Sequence, residues 1–158
     1  MMKFNILFSV FLFFGVVNSS GQVALDTDGL NNLNNVYLFS LKEYCQTLDS
    51  LKIKTVYVKY DYFIGESWPR KINSFEIKYL TSNEYKNAIK AEGGHMVLVG
   101  ITSLRLEKGT FYVGVIPFGA SYKKKTVHLG NGGGLTVNFT YDPIQKALVF
   151  RDKKWGGI

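Results

Sequence analysis

The carboxy-terminal half of the chain carries the pattern that restricts its folding most. Apolar and polar residues exchange places at nearly every step, and short turn sequences are the only breaks. Leu135, Val137, Phe139 and Tyr141 alternate with Thr136, Asn138 and Thr140, and an extended strand is what puts such a set on one face. Further strands are expected over 95–106, 110–118, 121–129 and 147–151. Turns are expected at Glu107-Lys108-Gly109, at the glycine run 130–134 and at Asp142-Pro143. Strands with one wet face, joined by short turns, predict antiparallel neighbours.

Ahead of this block, Tyr37, Leu38, Leu41, Tyr44, Cys45, Leu48 and Leu51 recur at the three-four spacing of one helical face. They predict a helix over 36–51, capped by Asn34 or Asn35. Two strands follow, at 53–60 and 72–80, on either side of a loop at 65–70. Thr81-Ser82-Asn83-Glu84 has the capping-box pattern, and the short helix it opens should stop at Gly93-Gly94. The order predicts an α+β fold: an antiparallel β-meander of about six to seven strands, with one long N-terminal helix and one short helix packed on it. An early helix against a curved meander is similar to cystatin-like and NTF2-like folds, an analogy of architecture that carries no function with it.

At the amino terminus, Met1-Met2-Lys3 is followed by the apolar run Phe4–Val17 and then by Asn18-Ser19-Ser20-Gly21. A positive start, a run too short for the roughly 20 residues of a membrane-spanning helix, and small residues at a cut describe an export signal over 1–21. The expected product is secreted or periplasmic. No cysteine lies near the cut to carry a lipid, so it is not read as a lipoprotein. Residues 22–35 are polar and rich in Asn, which reads as a flexible leader, and 36–158 read as a single domain. Cys45 is the one cysteine, so no internal disulfide can staple the fold.

Lys and Arg number 19 against 12 Asp and Glu, a formal charge of +7. Such an excess favours acidic partners, an anionic polysaccharide or other glycan, lipid headgroups or an acidic protein, while export argues against nucleic acid. The basic residues are scattered except at Lys123-Lys124-Lys125 and Lys153-Lys154.

No local motif assigns a catalytic residue, a metal or a cofactor. Cys45 could meet His95 or His128 as a thiol and its base, but it lies on the apolar helix face, where free cysteine behaves as a small hydrophobe. The two histidines lack the spacing of a metal site. The glycine run is followed by a strand pattern and no Lys-Ser or Lys-Thr pair, which reads as a flexible hairpin and not a phosphate loop. Asp61, Glu66 and Asp142 lie near aromatic loops, with nothing to bring two of them together for glycoside cleavage. Asn138-Phe139-Thr140 matches the glycosylation sequon but falls within a strand. The aromatic share, 15%, supplies the remaining candidates. Tyr60, Tyr62, Trp68 and Arg70 flank one loop, and Trp155 stands beside Lys154; rings next to cations suit stacking on sugars or anchoring of a protein. The sequence therefore reads as an exported, non-enzymatic protein- or glycan-binding module. The alternative is a hydrolase of exported substrates whose site forms no local motif.

Overall fold

The computed structural model describes Leu25 and residues 33–156. The export-signal reading of 1–21 lies outside the described residues, as does most of the leader 22–35. Within that leader Leu25 is buried, and its amide donates to the Leu148 carbonyl at 2.8 Å.

The first helix, α1 (Val36–Thr47), starts where the Asn35 side chain accepts a hydrogen bond from the Leu38 amide at 2.8 Å. Seven of its residues are buried, among them Val36, Leu38, Leu41 and Cys45. The expected helix to residue 51 is shorter by a turn. Leu48 is the last buried position and Leu51 is half exposed, so winding on would bury nothing, and Asp49 and Ser50 favour turns.

After α1 come β1 (Thr55–Lys59), β2 (Lys71–Ile72), β3 (Phe75–Leu80), α2 (Tyr85–Ala91), β4 (His95–Ile101) and β5 (Arg105–Glu107). The long hairpin strand β6 (Thr110–Lys123) is followed by β7 (Thr126–Asn131), β8 (Gly134–Asp142) and β9 (Ala147–Gly156). Among the described residues these nine strands form one sheet in the order β2-β3-β1-β4-β6-β8-β9, with β5 and β7 as additional partners of β6.

The mixed α+β class with a mostly antiparallel sheet and two helices is as expected, but the simple six- to seven-strand meander is not what forms. β1 lies parallel to both β3 and β4, because both connections are long enough to cross a sheet face. Residues 60–70 cross on the α1 side, burying Phe63, Ile64 and Trp68 against the core, and α2 crosses on the other side. The extra strands are short pieces: β2, and β5, which Thr102–Leu104 separate from β4.

A second correction concerns the glycine run. It is not a hairpin turn. β7 and β8 run in the same direction along the same side of β6: Asn131 pairs with Phe118 and Leu135 with Val115, so four steps on one chain answer three on the other. The run is a bulge in one long ribbon, with Gly133 at φ +126°. Pro117, which has no amide N–H to offer a neighbour, lies opposite this break. The hairpin turn lies ahead of the run, at Lys124-Lys125, inside the stretch 121–129 expected as a strand.

Alternation along the strands makes two unequal layers. Val56, Val58, Ile77, Val99, Val113, Val115, Leu135, Val137 and Phe139 face α1 and form the main core. Leu80, Met96, Leu98 and Ala120 face the opposite side, where Tyr85 and Ile89 of α2 cover them. At the end of α2, Gly93 and Gly94 take positive φ, and Gly94 donates to the Ile89 carbonyl at 2.8 Å. Having seven residues, α2 covers the β1, β4 and distal β6 part of its face and no more. The part made by β5, the start of β6, β8 and β9 has no helix over it among the described residues.

Candidate functional site

That uncovered part holds a groove of about 640 Å³. Cross-strand register builds it in rows. Arg105 pairs with Tyr112, Tyr112 with Asn138, and Asn138 with Asp152. In the next row Gly114 pairs with Thr136, and Thr136 with Lys154. Gly134 and Gly156 close one end, and Glu107, Lys108 and Thr110 on the β5–β6 hairpin rim the other.

The floor is low because its residues are small. A Cβ on Gly114 would stand 3.1 Å from the Thr102 methyl, whose side chain instead folds over the glycine and accepts its amide at 2.8 Å. A Cβ on Gly134 would lie 2.8 Å from the Val115 carbonyl oxygen.

A bulge in β9 supplies two of the charged groups. Phe139 pairs with Phe150 while Asn138 pairs with Asp152, leaving Arg151 as the extra residue. Bulges re-aim side chains, and here Arg151 and Asp152, consecutive in sequence, both line the groove. Asn138 donates to Asp152 at 2.6 Å, and the Arg151 Nε lies 3.4 Å from the same carboxylate. Arg151 also donates to the Thr110 hydroxyl at 3.3 Å. Arg105, Lys108 and Lys154 have no ion pair among the described residues. Four cations therefore face two carboxylates, and three of the cations have no counter-charge. The alternation of β9 sorts the lysines: Lys153 reaches Glu43 of α1 at 2.8 Å on the other face, while Lys154 looks into the groove.

The aromatic candidates named from sequence are not gathered in one patch. Tyr60 and Tyr62 stand in solvent after β1, Tyr62 being 70% exposed. Trp68 is 2% exposed, edge-on to Tyr79 at 6.0 Å within the core. Arg70 lies over the Tyr79 ring at 5.1 Å. Trp155 is on β9, at the other end of the strand order, against Tyr44 of α1 at 6.0 Å.

The cysteine follows the structural reading. Cys45 is fully buried, and burial, with the Asp49 charge adding to it, pushes its thiol up to about 12. His95 and His128 are exposed and sit on either side of Ser121 in the register. Among the described residues no group of three or more His, Cys, Asp or Glu is disposed to hold a metal. No helix among them is long and apolar enough to cross a membrane. Asn138 of the sequon is half-buried and spent on Asp152.

Sequence reasoning missed the groove because its residues looked like turns, as at Glu107-Lys108 and Gly134, or like the wet side of a strand. Thr136 and Asn138 are the polar partners in an alternation, and Arg151–Lys154 read as surface charge. No protein-family model, curated protein or solved structure matches this chain.

Proposed function

We propose that this chain is an exported, non-enzymatic binding domain and that the groove on β5, β6, β8 and β9 takes an acidic glycan. One observation carries the reading: a single groove combines cations that lack counter-ions with a lining of hydroxyl and amide groups. Its size falls within the roughly 300–1,000 Å³ of small-molecule sites. A sugar acid matches each part. In an oligomer the carboxylates of separate units suit Arg105 on β5 and Lys154 on β9, the hydroxyls suit Thr102, Thr136 and Asn138, and a ring face suits Tyr112. Export rests on the leader 1–21, which would bring the domain to envelope or extracellular polysaccharide.

The hydrolase reading would use Glu107 and Asp152, the two carboxylates of the groove. Asp152, however, is already engaged by Asn138 and Arg151, which makes it a group that positions its neighbours. The test is calorimetric titration with a galacturonate trimer and, in parallel, neutral maltotriose. The acidic trimer should bind, with affinity falling as salt rises. Arg105→Gln combined with Lys154→Gln should weaken it about tenfold or more, since bonds to charged groups carry most of the contact energy. Equal binding of the neutral sugar, or undiminished binding by the variant, refutes the reading. Release of new reducing ends would move the protein to the hydrolases.

A further inference from the structure

We propose that the end of the molecule formed by α2 and the β6–β7 hairpin docks on an anionic lipid bilayer, independently of the groove. Lys86 and Lys90 are one helical turn apart, and each ammonium lies 5.5 Å from the centre of the Tyr122 ring. Directly after Tyr122 come Lys123, Lys124 and Lys125, which close the hairpin. None of the five lysines enters an ion pair among the described residues. Beside them on the α2 face are Val127, the partner of Tyr122, and the 45% exposed Leu129, the partner of buried Ala120.

The hairpin tip keeps its charge against conformational preference. A two-residue turn of this kind needs positive φ at both central positions, which Asn-Gly supplies most readily. The β5–β6 turn follows the rule halfway with Lys108-Gly109. The β6–β7 turn places Lys124 and Lys125 there, at φ 49° and 68°.

The choice of cation favours a bilayer over a discrete ligand. Two of the four groove cations, Arg105 and Arg151, are arginines, whose planar forks suit individual carboxylates. Here every cation is a lysine, a hydrated point charge that suits attraction to a charged plane. A tyrosine and a half-exposed leucine among those charges match the amphipathic pattern of surfaces that settle at lipid headgroups.

The test is co-sedimentation of the purified chain with vesicles of phosphatidylcholine alone and of phosphatidylcholine mixed with phosphatidylglycerol. Binding to the mixed vesicles and its loss at raised salt are expected. Attachment through the apolar run Phe4–Val17 would not depend on lipid charge. Lys124→Asn with Lys125→Gly removes two charges while suiting the turn, so weakened binding cannot be put down to a lost fold. With Lys86→Gln added, binding should fall roughly fivefold for each lysine removed. The groove variant, Arg105→Gln with Lys154→Gln, should bind vesicles as the parent does. Equal binding to both vesicle types, or full retention by the lysine variant, overturns the proposal. So does lysine-dependent capture of soluble dextran sulfate without any vesicle binding, which would assign the patch to a free polyanion.

Discussion

Trp68 and Tyr62 lie in the same loop, six residues apart, and should respond to truncation in opposite ways. Trp68 is 2% exposed and packs edge-on against Tyr79, whereas Tyr62 is 70% exposed and sets its ring edge-on to Phe63 at 5.2 Å. A buried indole removes roughly 150–250 Å² from water, and at about 25 cal/mol per Å² that is worth roughly 4–6 kcal/mol gross. Alanine keeps the β-carbon, and neighbours relax partly into the space, so Trp68→Ala should destabilise by about 3–5 kcal/mol. For a domain of this size the melting temperature falls by roughly 10–20 °C. Tyr62→Ala forfeits one aromatic contact, about 0.5–1 kcal/mol, and should shift melting by a few degrees at most. Thermal melts followed by circular dichroism compare the two directly. Were Trp68→Ala to melt within about 3 °C of the parent, the ring would not be a core element, and the packing of the loop under α1 would be wrong.

Other consequences are equally direct. Gly134→Ala should cost about 1–3 kcal/mol in a urea titration, since the added carbon meets the Val115 carbonyl oxygen at 2.8 Å; an unchanged midpoint would mean the ribbon bends freely there. Lys124→Asn with Lys125→Gly should stabilise by about 1–2 kcal/mol, because two side chains leave the left-handed region or suit it better. Stability should also decline in alkali. Burial raises Tyr44 from 10.0 to about 12 and Cys45 from 9.0 to about 12, with a coulombic contribution in each case. Tyr57 also rises to about 12, through desolvation first and then its hydrogen bond to Glu92. These folded-state values exceed the unfolded ones, so the contribution is fully present below about pH 9 and is lost as pH climbs toward 12. A denaturant midpoint that rises over that interval would contradict the burial of these groups. Cys45 should resist alkylation at neutral pH until the chain is unfolded, as measured by mass spectrometry with and without urea.

What could be read from sequence, and what could not, divides along a physical line. The α1 face, the Gly93-Gly94 stop and the alternation of β8 are local, and residues such as Leu41 or Val137 declare their burial through their own neighbours. Parallel pairing of β1 with β3 and β4 is non-local, since Val58 carries no mark of which strand will lie beside it. The groove is harder still, because it depends on two departures from strict alternation. The bulge at Gly132-Gly133 swallows one residue, and without it β8 would meet β6 out of step, with Thr136 and Asn138 exchanged for Leu135 and Val137. The bulge at Arg151 similarly lets two consecutive charged residues share one face, where an unbroken strand would send one of them toward α1. A period-two reading must treat such an extra residue as noise. Yet it is the extra residue that adds Arg151 to the row of Asp152 and Lys154 over the small floor of Gly114 and Thr136, so deleting Arg151 should restore an unbroken β8–β9 ladder and remove one cation, leaving Asp152 opposite Asn138, Lys154 opposite Thr136 and the α1 core able to form.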